Sequence, residues 1–259
     1  MSKKLIVGNW KMHFTTGQSS LYLHKLEQQV ASYRDVEVVL CPNLLALQSL
    51  SLQLNHRKFR LGAQNSYYQD EGAFTGEVSA TQMRGLVSYI IVGHSERRHI
   101  FGETSKDTAQ KVQAVLRNNI KPILCVGETK HERVEGETAH VIHDQVVAGL
   151  RNVSGDEIEQ VVIAYEPVWA IGTGNFAAPE DATRAAGLIR KHVRALFGDK
   201  AAELVRVLYG GSVDADNAGA FLQAEGIDGL LVGGASLKAK VFSAIVDNAH
   251  GLDNTKDDR

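Results

Sequence analysis

The chain has 259 residues and a formal net charge of −2, from 28 Lys plus Arg against 30 Asp plus Glu. Its basic residues are dispersed, which argues against a nucleic-acid-binding face. No apolar run approaches the roughly 20 residues that cross a bilayer, and residues 1–7 lack a long apolar signal region. The two cysteines, Cys41 and Cys125, are interpreted as packing residues of a reduced, cytoplasmic protein.

Short β-rich segments alternate with amphipathic helical segments along the whole chain. The predicted strand and helix pairs are 5–7 with 19–31, 36–40 with 44–54, 59–63 with a short helix near Thr81, 89–92 with helical segments through Asn118, 123–126 with a pattern ending near Leu150, 161–164 with 179–197, 205–209 with 216–224, and 230–232 with 236–247. Eight such units predict a parallel sheet with right-handed crossovers.

The number of units and the length together favour one α/β domain, a closed (β/α)8 barrel over residues 1–250. A doubly wound sheet would instead need a Gly-x-Gly-x-x-Gly fingerprint after its first strand, where this chain has Gly8-Asn9-Trp10-Lys11. The polar C-terminal tail over 251–259 is expected to be disordered. In a barrel of this kind the active site lies at the carboxyl ends of the strands.

The sixth predicted strand ends at a carboxylate, Glu166, followed by Pro167 and an apolar loop that reaches Gly174. A carboxylate under an apolar cover has a raised pKa, because burial disfavours its charged form, and it can then serve as a base. The alternative is a solvated Glu166 with Trp169 as a packing residue of a turn.

Strands one and four end in further polar side chains. The helix opened by Ser95 and Glu96 should keep His94 neutral, although a structural or metal-binding His94 is the alternative. Lys11 could neutralise developing negative charge or could simply be solvated. Asn9 could donate a hydrogen bond to a substrate carbonyl oxygen, as a neutral His94 could, or it could orient its neighbours. The role of Glu96 stays open, because helix capping or a salt bridge would explain it without a catalytic role.

Two glycine pairs, Gly210-Gly211 and Gly233-Gly234, follow strands seven and eight. Glycine lets backbone N–H groups approach an anion, and this is the usual phosphate position in such barrels. The pairs therefore predict a phosphate site, with tight turns as the alternative.

A series of motifs at the strand ends resembles the triosephosphate isomerase family. They are GNWKM at 8–12, GHSERR at 93–98, CVGET at 125–129, EPVWAIGTG at 166–174, YGGSV at 209–213 and GGASL at 233–237. The resemblance implies interconversion of dihydroxyacetone phosphate and D-glyceraldehyde 3-phosphate, in glycolysis and gluconeogenesis, without cofactor or metal.

The resemblance also implies roles for single residues. Glu166 would be the base and His94 a neutral electrophile, as is known for the family. Lys11 would supply positive charge and Asn9 a hydrogen bond. The loop 167–177 would close over a phosphate held by backbone groups at Gly172, Ser212, Gly233 and Gly234. Asn175-Phe176-Ala177 departs from the family's usual Lys-Thr-Ala hinge, which leaves loop kinetics open.

The long loop 64–79 resembles the family's dimerisation loop, so a homodimer with Thr75 at the interface is expected. Two other functions remain as alternatives. A phosphosugar epimerase on the same barrel would need several metal-binding His and Asp residues at the strand ends. A non-catalytic phosphate-binding barrel would need no base and no electrophile.

Overall fold

The computed structural model describes residues 3–172 and 176–252. Eight parallel strands pair in chain order, and the last pairs with the first, which closes the barrel. The strands are β1 Lys4–Asn9, β2 Val36–Cys41, β3 Phe59–Ala63, β4 Tyr89–Val92, β5 Lys121–Val126, β6 Val162–Tyr165, β7 Arg206–Tyr209 and β8 Gly229–Val232. The predicted closed barrel is confirmed.

Helices cover the outside of the barrel. In the described residues they are α1 Thr16–Gln29, α2 Leu44–Gln53, α3 Ser95–His99, α4 Ser105–Arg117, α5 Lys130–Val134, α6 Thr138–Leu150, α7 Pro179–Phe197, α8 Asp199–Leu204, α9 Ala218–Gln223 and α10 Ala239–Ala249. The predicted helix near Thr81 is a single 3₁₀ turn, Thr81–Met83.

Two helices begin later than predicted, and local hydrogen bonds explain both differences. The side chain of Asp214 accepts from the backbone N–H groups of Asp216 and Asn217 at 3.0 and 2.9 Å, which forms a turn before α9. Ahead of α10, the backbone N–H of Ser236 donates to Gly233 O at 2.8 Å within a 3₁₀ turn.

Apolar side chains fill both faces of the sheet. Along β1, Leu5 and Val7 belong to the cluster inside the barrel, whereas Ile6 packs with the helices. This alternation follows from the two-residue period of a strand, and apolar residues on both faces are typical of parallel sheets. Cys41 and Cys125 are free, buried members of the inner cluster, in accord with the packing role predicted for them.

A polar group closes the barrel at the amino ends of the strands; we call Glu37, Tyr89, Lys121 and Arg206 the basal cluster. Tyr89 donates to Glu37 at 2.9 Å, and Arg206 donates to Glu37 at 2.9 Å and to the Tyr89 hydroxyl at 2.7 Å. The Lys121 ammonium lies 5.7 Å from the Tyr89 ring centroid. Burial raises the pKa of Tyr89 to about 12. Burial also opposes charge on Glu37, but Arg206 and Tyr89 hold its pKa below the ordinary value.

The end of the described chain is attached to the barrel. The backbone N–H of Gly251 donates to Asp35 at 2.9 Å, and His250 Nδ1 lies 2.8 Å from the same carboxylate. Residues 253–259, most of the tail predicted to be disordered, lie outside the described residues. Within the described ranges no helix has the length and apolar character needed to cross a membrane.

Candidate active site

A cavity of 390 Å³ opens at the carboxyl ends of the strands. It lies within the range of about 300–1,000 Å³ that is usual for small-molecule sites. Its lining includes every residue predicted for the site: Asn9, Lys11, His94, Glu166, Gly172, Ser212, Gly233 and Gly234. The barrel brings these residues together because the carboxyl ends of its parallel strands meet at one rim.

At the centre of the site Glu166 faces His94. The Glu166 carboxylate is 2% exposed, and its Oε2 accepts the backbone N–H of Ser95 at 2.8 Å. Its Oε1 lies 2.9 Å from His94 Nε2. On the other side of the ring, Nδ1 accepts the backbone N–H of Glu96 at 3.2 Å, so His94 caps the start of α3. This arrangement assigns the proton of the neutral ring to Nε2, on the side of the carboxylate.

The pKa directions differ from the sequence expectations. Burial opposes charge on Glu166, but His94, the Ser95 N–H and Lys11 lower its pKa below the ordinary value. Burial also opposes charge on His94, but the Glu166 carboxylate raises the pKa of His94 above its ordinary value. The expectations of a raised Glu166 pKa and of a helix effect that governs His94 were therefore wrong for this conformation. The Glu166 carboxylate favours the protonated form of His94, and His94 favours the ionised form of Glu166. The contact between these two side chains forms only in the folded barrel.

Lys11 stands on a strained backbone, with φ at +51°. Two neighbours hold this conformation, because Asn9 Oδ1 accepts the Lys11 N–H at 3.0 Å and Gln64 Nε2 donates to Lys11 O at 2.8 Å. The Lys11 ammonium pairs with Glu96 at 2.5 Å, which confirms the salt-bridge interpretation of Glu96. Sequence reasoning missed Gln64, although its position directly after β3 marked it as a strand-end polar residue.

The two glycine pairs differ in their surroundings. A Cβ on Gly211 would lie 2.2 Å from the Tyr209 hydroxyl, and one on Gly210 would lie 3.1 Å from Glu166 Cγ. A Cβ on Gly234 would meet nothing within 4 Å, whereas one on Gly233 would lie 3.9 Å from Lys11 Nζ. Packing therefore explains the first pair in part, and the second pair leaves an open backbone beside a cation.

The start of the apolar loop is fixed by a buried carboxylate, Glu128. It accepts Trp169 Nε1–H at 2.9 Å and the Tyr165 hydroxyl at 3.1 Å. The Arg133 guanidinium lies 4.1 Å from the Trp169 ring centroid. Sequence reasoning missed Glu128 and Arg133 as neighbours of the loop, although Glu128 is the second residue after β5, in the CVGET motif.

The later part of the loop is described only in part. Gly172 has φ at +69°, and residues 173–175, with the first position of the predicted hinge, lie outside the described residues. Phe176 lines the cavity and is 58% exposed, whereas Ala177 is buried. In the ranges 3–172 and 176–252, no three or more His, Cys, Asp or Glu side chains are grouped so that they could hold a metal ion.

Fold and site together define a class. A parallel (β/α)8 barrel that gathers a carboxylate, an imidazole and an ammonium around a small cavity at its carboxyl end is a barrel enzyme equipped for acid–base chemistry.

Comparison with known proteins supplies the family. The family described as triosephosphate isomerase matches residues 4–249. The chain is 45% identical over 248 residues to the triosephosphate isomerase of Alkaliphilus metalliredigens, which covers 95% of this chain and all of that protein. It is 45% identical over 248 residues to that of Clostridium tetani, covering 95% and 97%, and 42% identical over 247 residues to that of Dictyoglomus thermophilum, covering 95% and 99%. The chain belongs to the triosephosphate isomerase family.

Proposed function

We propose that this chain interconverts dihydroxyacetone phosphate and D-glyceraldehyde 3-phosphate through an enediolate, with Glu166 as base and neutral His94 as electrophile. Family membership supports the reaction and, with it, a place in glycolysis and gluconeogenesis. The observation that carries the residue roles is the buried contact between Glu166 and His94 at the wall of the cavity.

The substrate phosphate binds to backbone N–H groups at Gly233 and Gly234, with further contacts from Ser212 and Gly172. The open space at Gly234 supports this placement, because no packing contact there requires a glycine. The Lys11 ammonium lies next to the same backbone and supplies the positive charge that a phosphate and an enediolate need.

Proton transfer requires Glu166 to leave its present partners. Its two oxygens lie against Ser95 N and His94 Nε2, so the carboxylate turns away from both to reach a substrate carbon. Loss of these donors raises the pKa of Glu166, since they are what lowers it. The same movement removes the carboxylate that raises the pKa of His94, and the Glu96 N–H still donates to Nδ1. The ring therefore acts as a neutral donor.

Glu166 takes a proton from C1 of the ketose, and the electron pair moves onto the carbonyl oxygen at C2. His94 gives its Nε2 proton to that oxygen and takes the hydroxyl proton from the oxygen at C1. Glu166 then returns its proton to C2, which yields the aldose. Asn9 donates a hydrogen bond to the developing oxyanion.

The loop 167–177 acts as the lid. An enediolate phosphate exposed to water can eliminate phosphate, so a closed loop protects the intermediate. The Trp169 hydrogen bond to Glu128 anchors the first turn of this loop to the segment that follows β5.

The assembly is a homodimer in which Thr75 of one protomer approaches the region of Asn9, Lys11 and His94 on its partner. Exposed apolar side chains support this, since Phe74 is 40% exposed and Met12, directly after Lys11, is 96% exposed. Thr75→Arg should give monomers with much reduced activity, because it buries an unpaired charge. A wild-type protein that sediments as a fully active monomer would contradict the dimer.

The cytoplasm is the proposed location, because both cysteines are free and buried in the barrel. Activity that follows the membrane or extracellular fraction of the source cells would overturn this placement.

A coupled assay of glyceraldehyde 3-phosphate conversion, run with and without chelator, tests the reaction. We expect full turnover in both conditions. A metal-dependent epimerase would lose its activity with chelator, and a non-catalytic phosphate-binding barrel would bind inorganic phosphate without turnover.

A further inference from the structure

We propose that Arg98 is a positioning residue that sets the distance between His94 and Glu166. The inference rests on the proposed roles of those two residues. Arg98 does not line the cavity, and it acts through the hydrogen bonds that it forms beneath the site.

The Arg98 guanidinium joins the ends of two neighbouring strands. Its Nε donates to Gly93 O at 2.8 Å, directly after β4, and its Nη2 donates to Cys125 O at 3.2 Å, within β5. The planar guanidinium holds its two N–H donors in a fixed, forked geometry, whereas a lysine ammonium is a point charge on a flexible stem and would hold the two carbonyls less rigidly.

The turn at Gly93 is built around this guanidinium. Gly93 has φ at +69°, and a Cβ on it would lie 2.7 Å from Arg98 Nη2. The next two residues are His94 and Ser95, which present Nε2 and a backbone N–H to Glu166. Arg98 therefore fixes the turn that carries both partners of the base.

The end of β5 in turn carries the backbone of Glu166. The Glu166 N–H donates to Val126 O at 2.7 Å, and a Cβ on Gly127 would lie 1.8 Å from Glu166 O. Because Arg98 donates to Cys125 O, it links the turn that carries His94 to the strand end that hydrogen-bonds to the Glu166 backbone. One side chain thus connects the two proposed catalytic groups through β5.

The charge of Arg98 is directed at these carbonyls. Neighbouring Arg97 pairs with Glu103 at 2.6 Å, whereas in the described ranges Arg98 forms its hydrogen bonds with backbone oxygens. Burial lowers the pKa of Arg98, yet a guanidinium stays charged in proteins. A half-buried cation that meets backbone oxygens at two strand ends holds both ends in place.

The test compares Arg98→Lys and Arg98→Met in the complete protein. We expect kcat to fall about tenfold in the first and about a hundredfold in the second, since a shift of about 1 Å can cost a hundredfold. KM and competitive inhibition by inorganic phosphate should change less than twofold, because the proposed phosphate contacts at Ser212, Gly233 and Gly234 follow β7 and β8. The NMR signals of the His94 imidazole should shift in both variants.

Two controls separate positioning from general stability. Arg206→Lys, at the amino end of the barrel, should lower the urea midpoint and leave kcat unchanged. In a His94→Ala background, Arg98→Met should cost much less than its full penalty, because the group it positions is absent. The inference is overturned if Arg98→Lys keeps wild-type kcat, or if the penalty of Arg98→Met is unchanged without His94.

The proposed function has its own control in the same experiment. If Glu166→Gln retains full turnover, the proposed function fails, whatever the Arg98 variants do. If Glu166→Gln is inactive and both Arg98 variants keep wild-type kcat and His94 signals, the inference about Arg98 alone fails.

Discussion

The two ends of the barrel use the same kinds of side chain in different ways. At the amino end, the carboxylate, hydroxyl and guanidinium of Glu37, Tyr89 and Arg206 all hydrogen-bond to one another. At the carboxyl end, the Glu166 carboxylate contacts the His94 ring, and the Lys11 ammonium pairs with the Glu96 carboxylate. In the basal cluster these three side chains form a closed set of hydrogen bonds, whereas the site holds two ion pairs beside a cavity, joined by the Glu96 N–H that donates to His94 Nδ1.

The backbone shows the same difference. Glu37, Tyr89 and Arg206 stand at the beginnings of regular strands, where the sheet fixes them. Lys11 stands after β1 with a left-handed φ of +51°. Strain of this kind costs about 1–3 kcal/mol and persists only where its surroundings enforce it. The basal cluster therefore contributes to stability, and the carboxyl end keeps contacts that a substrate can exchange.

The largest effect should come from a change at Glu166, the proposed base. Glu166→Asp withdraws the carboxylate by one methylene, and we expect kcat to fall by a hundredfold to a thousandfold or so, within the usual contribution of a general base. Glu37→Asp is the matched change at the other end and should lower the urea midpoint with kcat unchanged. Near-normal turnover of Glu166→Asp would remove Glu166 from the role of base.

The cation at the site should come second. Lys11→Met removes the ammonium beside Gly233, so kcat/KM should fall by about a hundredfold through both weaker binding and slower chemistry. Lys121→Met, which removes a cation above Tyr89, is the matched control and should leave steady-state kinetics unchanged. If Lys11→Met alters only thermal stability, Lys11 is a structural residue.

A change in the basal cluster should have the opposite result and lower the stability of the protein without lowering its activity. Arg206→Met leaves the Glu37 carboxylate without its guanidinium, and we expect the free energy of unfolding to fall by about 2 kcal/mol. Because the cluster lies at the opposite end from the cavity, kcat and KM should stay at wild-type values. Equilibrium unfolding in urea, with kinetics on the same preparation, measures both. A large loss of kcat would show that the two ends are coupled.

The smallest effect should be a pH dependence. The pKa of Glu37 lies below its ordinary value of 4.5, so the folded protein binds this proton less tightly than the unfolded chain. The stability that Glu37 contributes is fully present above about pH 4.5 and is lost as the pH falls through its folded-state pKa. Urea midpoints measured from pH 6 downward should therefore decline less for Glu37→Gln than for wild type. Parallel curves would mean that Glu37 has the same pKa in both states.

The sequence by itself determined the order and the kind of elements. The short β-rich segments, the helical segments between them and the glycine pairs are local features, and eight repeats of one unit at this length leave few arrangements. The same order identified Glu166, His94 and Lys11, because the carboxyl ends of parallel strands share a rim.

Only the tertiary structure decided which of these groups touch, and therefore how they titrate. Glu166 and His94 come from different strands, and their contact reversed the pKa directions that local surroundings predicted. The hydrogen bonds of Arg98 to two backbone carbonyls, and that of Trp169 to Glu128, likewise join segments that are distant in the sequence. The sequence pattern shows which kind of element a residue belongs to and which residues are next to it in the chain. Electrostatic and hydrogen-bond energies depend instead on distances of a few ångströms between side chains, and only the closed barrel sets those distances.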